Sequence, residues 1–478
     1  MNKHEKMHAV LKEKFGFDDF RPGQAEIISA LLENKNALGM LPTGGGKSLI
    51  YQMMGYLRPG TVVIVTPLLS LMQDQVSRFN YMGEKSVIAL SSLMDAQEKY
   101  SVLHHLNNYR FVLISPEMLN QEAVLKAFAN ININTFVIDE AHTILSWGPD
   151  FRPDYLDLPL IHEQLGFPPL LLLTATATKA MQADLMQRFN VPMEQWYVYA
   201  QSVDRPNIYL HNEVLDTNAD KDDRLTTLVK QIPGAGIVYV SSRKLANTLA
   251  EQLKQTTGRH VAAYHGGLDN VARYRLQQQF MQNDLDVIVA TSAFGMGIDK
   301  DDIRFIIHYH LSQDLASYMQ EIGRAGRDNQ AALAVLLYVP GDERIQYHLL
   351  DASLPTDTML AQYMDKQIDA ASIGVERARL IDYYIAKHLG LEQMQSLFKE
   401  RRIVRSQALQ SMVNYARQPE DLRNYLLQYF DDAPTSLDFE SVGPAAFNLN
   451  VVGLPAQLAA KNSLPAQHWP DILKQLFK

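Results

Sequence analysis

Cysteine is absent from all 478 residues. Disulfides, Cys-ligated zinc and iron–sulfur clusters are thereby excluded, and a reducing cytoplasm suits the chain. Positive charge is scarce as well. The 44 Lys and Arg against 53 Asp and Glu leave a formal net charge of −9, so no global basic field attracts nucleic acid. Such a partner has to meet a local basic surface. Long apolar runs are also missing: the longest in the middle of the chain, Leu170–Thr174 and the Ala-Thr repeats after it, is too short to span a bilayer. The charged opening Met1-Asn2-Lys3-His4-Glu5-Lys6 lacks the apolar core of a signal peptide. The expectation is a cytoplasmic protein with no membrane partner, long enough for two or three domains that each bury a core.

The chemistry is anchored at Met40-Leu41-Pro42-Thr43-Gly44-Gly45-Gly46-Lys47-Ser48. A buried strand is expected before it and a helix after it. Glycines at a strand-to-helix turn let backbone N–H groups converge on a phosphate chain, because no Cβ obstructs the approach. The helix N-terminus adds its positive dipole end. Lys47 would reach the β- and γ-phosphates, and the Ser48 hydroxyl would ligate Mg²⁺. The strict phosphate-loop pattern wants glycine where Leu41 stands. A glycine-rich surface turn is the bland alternative. Upstream, Pro22 with Asp18 and Asp19 before it marks a helix start. Gln24 then projects from the first turn, with one donor and one acceptor in register for adenine N6 and N7.

Apolar runs, most of them rich in β-branched residues, follow at residues 61–65, 111–114, 136–138 and 170–173, separated by helical or loop segments. They predict a parallel sheet covered on both faces, whose functional residues gather at the strands' carboxyl ends. One strand ends in Asp139-Glu140-Ala141-His142, about ninety residues beyond the phosphate loop. Asp139 stands where a nucleotide-binding sheet places the carboxylate that holds Mg²⁺ through water. Glu140 is then the candidate to orient and deprotonate the attacking water.

The pattern pauses at Asp204-Arg205-Pro206-Asn207, and the polar stretch 216–223 reads as a junction. A second alternating set begins at Gly236, continues near 260–263, 286–290 and 304–308, and closes at 333–337, without a phosphate loop. Its chemistry lies in Gln320-Glu321-Ile322-Gly323-Arg324-Ala325-Gly326-Arg327. Two arginines three residues apart are expected on neighbouring positions of one helical face. A guanidinium supplied from a second domain neutralises charge on a transferring phosphoryl group, and makes hydrolysis depend on domain closure.

Together these segments resemble superfamily 2 helicases, and within them the RecQ family. Phe15-Gly16-Phe17 with Phe20-Arg21-Pro22-Gly23-Gln24 is similar to that family's adenine-recognising motif, and Leu41 to Ser48 to its motif I, where the Leu41 departure is typical. Thr66-Pro67-Leu68-Leu69-Ser70 resembles motif Ia, Asp139 to His142 the DEAH form of motif II, and Thr174-Ala175-Thr176-Ala177 motif III. Val289-Ala290-Thr291 with Phe294 to Lys300 resembles motif V, and Gln320 to Arg327 motif VI. Trp147-Gly148-Pro149-Asp150-Phe151-Arg152 resembles the aromatic-rich loop that couples single-stranded DNA to ATP hydrolysis in that family. Its composition suits stacking on bases and contact with phosphate.

The resemblance implies an α/β fold of two tandem RecA-like parallel-sheet domains (1–205 and 206–340) and a smaller, mainly helical C-terminal domain (341–478). It implies a DNA-stimulated ATPase and helicase, travelling 3′ to 5′ and serving repair or recombination. ATP and Mg²⁺ are the implied cofactors. Arg21, Gln24, Thr43, Gly44, Gly45, Gly46, Lys47, Ser48, Gly297 and Asp299 are the implied nucleotide-binding residues, with Ser48 and Asp139 toward Mg²⁺. Lys47, Asp139, Glu140, Gln320, Arg324 and Arg327 carry catalysis. Thr66, Ser70, Trp147, Phe151, Arg152, Ser241, Arg243, His265 and Thr291 face DNA. Single-stranded and tailed duplex DNA are the implied partners, with single-stranded-DNA-binding or repair proteins beside them. Beyond Tyr338 the likeness weakens. Residues 412–430 are similar to the helical part of the RecQ zinc-binding domain, but Asp421 stands where its first cysteine is expected, so a zinc-free domain held by packing is expected. An RNA helicase on the same core, a translocase that does not separate strands, and a scaffold that has lost catalysis are the rival readings. The intact Lys47, Glu140 and Arg327 weigh against the last.

Overall fold

The computed structural model describes residues 2–433 apart from positions 43, 68, 92–93, 147–151 and 296–299. The first domain is built on seven strands: β1 (Asn36–Met40), β2 (Thr61–Val65), β3 (Val87–Leu90), β4 (Phe111–Ile114), β5 (Ile133–Ile138), β6 (Leu170–Thr174) and β7 (Trp196–Ala200). They lie in the order β3-β4-β2-β5-β6-β1-β7, and every pairing is parallel. The five strands between the edges are buried at every position, which is why they read as mainly apolar runs without alternation, broken by buried polar residues such as Asn36, Thr61, Asn134 and Thr135. Helices cover both faces and create two cores, one around Leu38, Val63 and Phe136 and the other around Ile50, Ile64 and Leu171. The central position of β1, β6 and β5 brings the phosphate loop and the Asp139 turn to one crevice at the carboxyl edge.

The second sheet holds β8 (Ile208–Val214), β9 (Ala235–Tyr239), β10 (Val261–Tyr264), β11 (Val287–Ala290), β12 (Ile303–His308) and β13 (Ala332–Tyr338). Their order is β10-β11-β9-β12-β13-β8, again all parallel. Among the described residues, three strands escape the sequence pattern. β3 is a short edge with its middle half-exposed, and β7 alternates buried and exposed residues along the other edge. β8 carries buried His211 and Asn212 within its apolar run. The Asn212 amide donates to the Tyr415 carbonyl at 2.7 Å, and His211 lies 2.8 Å from Glu213. The polar stretch read as a junction opens the helix Asn218–Gln231, with Thr217 and Asp220 forming a capping box.

Beyond β13 the described residues are mainly helical. The helices Asp357–Met364, Val375–Ala386 and the first half of Leu391–Ala416 enclose a small core of Leu360, Ile381, Met394 and Phe398. The second half of that 26-residue helix and the helix Leu422–Tyr429 continue the core of the second sheet instead, through Met412, Val413, Leu426 and Leu427. Buried Arg423 seals this junction by donating to Asp204, to the Arg205 carbonyl (3.1 Å) and to the Ile208 carbonyl (2.7 Å). Among the described residues no helix is long and apolar enough to cross a membrane.

Two charged contacts in the second domain are testable. Lys221 is fully buried; its ammonium pairs with Asp342 and lies 4.5 Å from the Tyr309 ring centre. Lys221→Met strands the Asp342 carboxylate in the core and should cost about 3–5 kcal/mol. The further change Asp342→Asn should recover part of that loss in urea unfolding. Glu213 is held down to about 2 from 4.5, because hydrogen bonds from His211 and Arg224 outweigh the opposing effect of burial. A depressed folded-state value stabilises above the unfolded value and is lost as pH falls from 4.5 toward 2. Melting temperature should therefore drop less steeply below about pH 5 in Glu213→Gln than in the wild type.

Candidate functional site

The phosphate loop leaves β1 at Met40 and turns on glycines. Gly44 and Gly46 have φ of 82° and 77°, in the left-handed region that glycine adopts without cost. A Cβ on Gly45 would lie 2.9 Å from the Pro42 carbonyl oxygen. The helix Lys47–Leu57 then starts with no side-chain cap, leaving its first N–H groups facing the loop. Thr43 lies outside the described residues.

Arg21 and Gln24 brace this loop. Gln24 opens the helix Gln24–Leu32 behind Gly23 and is buried. Its side-chain nitrogen donates to the Gly46 carbonyl at 3.0 Å, and its oxygen accepts from the Arg21 amide at 2.9 Å. The Arg21 guanidinium donates to the Gly44 carbonyl. The amide read from sequence as an adenine reader is thus occupied by the loop that cradles phosphate.

The two carboxylates follow β5. Asp139 is buried, and one of its oxygens accepts from the Glu140 amide at 3.0 Å. Glu140 has φ of 51°, a conformation rare for a side chain of its size and concentrated at functional sites. Its Oε1 lies 3.7 Å from Lys47 Nζ, which is buried without a hydrogen bond. On the other side His142 Nδ1 is 3.5 Å from Glu140 Oε2 and 3.1 Å from Thr174 Oγ1. Burial, and after it the charge of Glu140, raises the Asp139 carboxyl above the usual range. Burial opposes ionisation of Glu140 too, but Lys47, His142 and Arg324 outweigh it and hold that carboxyl below the usual range. Burial also lowers His142, against the opposing charge of Glu140. One acid is thus kept ionised beside another that resists ionisation.

The opposite wall comes from the second domain. The helix Leu315–Ile322 ends before Gly323, so Arg324 and Arg327 stand in the turn beyond it and not on one helical face as the spacing suggests. The correction has a physical cause. Gly326, at φ 57°, breaks the helical path. Arg205 donates to the carbonyls of Gly323 (2.8 Å), Ala325 (2.9 Å) and Gly326 (3.0 Å), and Asn207 donates to that of Gly326 (2.8 Å). These two residues are functional neighbours that sequence reading passed over, and their only signal was a polar pause between strands. Arg324 is buried, donates to the Gly295 carbonyl and acts on the Glu140 charge. The Arg327 side chain lies 3.3 Å from where a Gly44 Cβ would be, directly against the phosphate loop. Gln320 lines a cavity of about 340 Å³ with His142, Thr176 and Arg324. A 3.1 Å bond from Gln277 to Asp74 also crosses between the domains.

The residues expected to face DNA fall into two groups. Ser241, Thr291 and His265 follow β9, β11 and β10, which are adjacent strands. The Ser241 hydroxyl and His265 Nδ1 are buried without hydrogen bonds, and the Thr66 hydroxyl after β2 is in the same state. Arg243 opens the helix Arg243–Thr257, with its side chain 3.2 Å from where a Gly267 Cβ would lie. Arg152 is engaged within the first domain, donating to the Pro67 carbonyl and lying 3.5 Å from Glu117. Ser70 belongs to the helix Leu69–Tyr81. Trp147, Phe151, Gly297 and Asp299 lie outside the described residues.

Comparison with known proteins agrees with this geometry. Residues 21–184 match the family described as DEAD/DEAH box helicase, and residues 220–329 the helicase conserved C-terminal domain. The probable ATP-dependent DNA helicase RecS of Bacillus subtilis is 39% identical over 99% of this chain and 98% of its own length. The ATP-dependent DNA helicase RecQ of Haemophilus influenzae is 36% identical over 79% of this chain, which spans 61% of that relative. The helicase Lhr of Mycobacterium smegmatis, solved with single-stranded DNA and AMP-PNP, superposes at a TM-score of 0.56 with 22% identity, over 77% of this chain and 55% of its own. Dbp5 of S. cerevisiae, solved with RNA and ADP BeF3, gives 0.55 and 21% over 72% and 90%. At such identities the structures establish the fold alone, two tandem RecA-like domains.

A methyl group on Gly46 would meet the Gln24 side chain at 2.4 Å and force a left-handed alanine. Gly46→Ala should therefore weaken binding of a fluorescent ATP analogue roughly tenfold or more, at about 1–2 kcal/mol of backbone strain. Titration of the analogue checks this.

Proposed function

Because the chain belongs to the RecQ family of DEAD/DEAH-box helicases, we propose that it is an ATP-dependent DNA helicase. It couples hydrolysis to 3′-to-5′ travel on single-stranded DNA and to opening of a tailed duplex, as part of DNA repair or recombination in the cytoplasm. The observation that carries this reading is the meeting across one cleft of a phosphate loop and acid pair with two arginines from the other domain.

The residues suit Mg²⁺ and ATP. A buried ammonium without a hydrogen bond stands over a glycine cradle at a helix N-terminus, which is the donor set a triphosphate requires. Ser48 and Asp139 would hold Mg²⁺, which when bound neutralises charge on the β- and γ-phosphates. Phosphate oxygens compete with Glu140 for Lys47, so nucleotide binding releases the 3.7 Å pair and leaves an ionised carboxylate to take a proton from water. Arg324 and Arg327 stabilise the charge that develops on the transferring group, and they do so only while the domains are together. Each hydrolysis then opens the cleft, and the DNA-facing residues of the two sheets shift along one strand. Single-stranded-DNA-binding or repair proteins are the partners such an activity calls for.

ATP turnover with single-stranded DNA, with single-stranded RNA and with neither tests this, followed by strand separation on a 3′-tailed duplex. DNA is expected to stimulate turnover and the duplex to open. Glu140→Gln should lower kcat by roughly 10²–10⁴-fold while keeping nucleotide binding. Stimulation by RNA alone would overturn the DNA assignment, and turnover without unwinding would make the chain a translocase.

A further inference from the structure

The helical domain touches the first domain at a second, separate place. Arg379, Tyr383 and Lys387 recur every fourth residue along and just past the helix Val375–Ala386, so they share one face. That face meets the single turn of 3₁₀-helix Pro153–Asp157. Arg379 pairs with Asp154, while the Tyr383 hydroxyl (3.1 Å) and Lys387 ammonium (2.6 Å) converge on one oxygen of Asp157. The other Asp157 oxygen accepts from Asn120 at 2.9 Å. With three residues per turn, successive side chains of this element point in different directions. Tyr155 is buried in the first domain's core, and Leu156 packs against the helical domain's own core.

The two attachments of the helical domain differ in kind. On the second domain it shares a continuous apolar core through Leu409, Met412, Val413 and Leu426. From the first domain's turn it receives one leucine, Leu156, ringed by charge pairs. Arg379 and Lys387 are about half exposed, at 49% and 42%, whereas Asp154 and Asp157 are at 16% and 8%, so solvent and salt reach these pairs from the cation side and weaken them. The apolar junction does not part without unfolding. The dock is made in the same structure in which Arg327 lies against the phosphate loop and Arg324 acts on Glu140.

We propose that the Arg379–Tyr383–Lys387 face is a releasable dock for the Asp154–Asp157 turn, and that it positions the two halves of the nucleotide cleft against one another. The helical domain rides with the second domain as a strut, and engaging the turn favours the closed cleft. Asp157, Leu156 and Arg379 are then positioning residues for hydrolysis, which rests on the ATPase reading above.

The chain has no cysteine, so dyes can be placed at Leu160→Cys and Ile385→Cys alone, both exposed and on opposite sides of the dock. Arg379→Asp should lower energy transfer between them and reduce kcat roughly three- to tenfold, with a smaller change in KM. Raised salt should reproduce the loss of transfer in the wild type. Adding Asp154→Arg to Arg379→Asp should restore both signals. Leu156→Asp provides a second release of the dock that does not depend on these pairs. Unchanged transfer and kcat in both variants would overturn the proposal, and so would a fall in kcat with transfer unchanged. A wild-type chain without ATP turnover would overturn the helicase reading alone, because energy transfer still reads the dock.

Discussion

A buried ammonium and a buried carboxylate set at 3.7 Å, with neither able to satisfy the other fully, are the constraint around which this molecule is arranged. Taking such charges out of water is expensive unless something pairs with them. Lys47 and Glu140 are brought to this position by two different strands of the first sheet, and the charge that tips Glu140 toward ionisation includes an arginine from the second. The cleft is therefore electrostatically complete only when both domains contribute. Polar atoms without hydrogen bonds are costly in a native interior and call for an explanation. Here several of them, on Lys47, Thr66, Glu140, Ser241, His265 and Arg324, belong to residues placed at the facing ends of the two sheets. A triphosphate and a nucleic-acid strand supply the kinds of acceptors and donors these atoms lack.

The same logic separates rigid from movable parts. Where the helical domain meets the second sheet, apolar side chains and buried Arg423 make one body. Between the first two domains, polar contacts such as the bond from Gln277 to Asp74 stand beside an apolar one, where Met40 and Ala177 join the second sheet's core. Apolar burial resists parting in proportion to its area, whereas isolated exposed polar contacts exchange with water at little cost. Motion is thus directed to the cleft and away from the domain interiors.

Much of this was legible in the residues. Apolar runs without alternation marked the buried central strands, because a strand covered on both faces has no reason to alternate. Gly44, Gly46 and Lys47 marked the loop, since only glycine takes its backbone angles freely. Three of the four edge strands were not legible, because β3 and β7 are half-exposed and β8 spends two inward positions on His211 and Asn212, whereas the edge strand β10 was read. The place of Arg324 was misread as helical because Arg205 and Asn207, over a hundred residues earlier, hold its turn. Gln24 read as a base-recognising amide, and its burial against the loop carbonyls depends on a packing that no spacing reveals. Local pattern reports local geometry; contacts made across domains leave no periodicity.

One feature bears on how the chain comes to be folded at all. β8 forms the outer edge of the second sheet, and its cover comes from Tyr415, Arg423 and their neighbours, about two hundred residues further along. A ribosome adding roughly 5–20 residues per second takes on the order of 10–40 s to produce that cover after β8 has emerged. During that interval an unpaired strand edge with Ile208, Tyr209 and Leu210 is available to other chains. The buried polar pair His211 and Asn212 then acquires a use during synthesis, because it interrupts the apolar run that would otherwise nucleate intermolecular pairing.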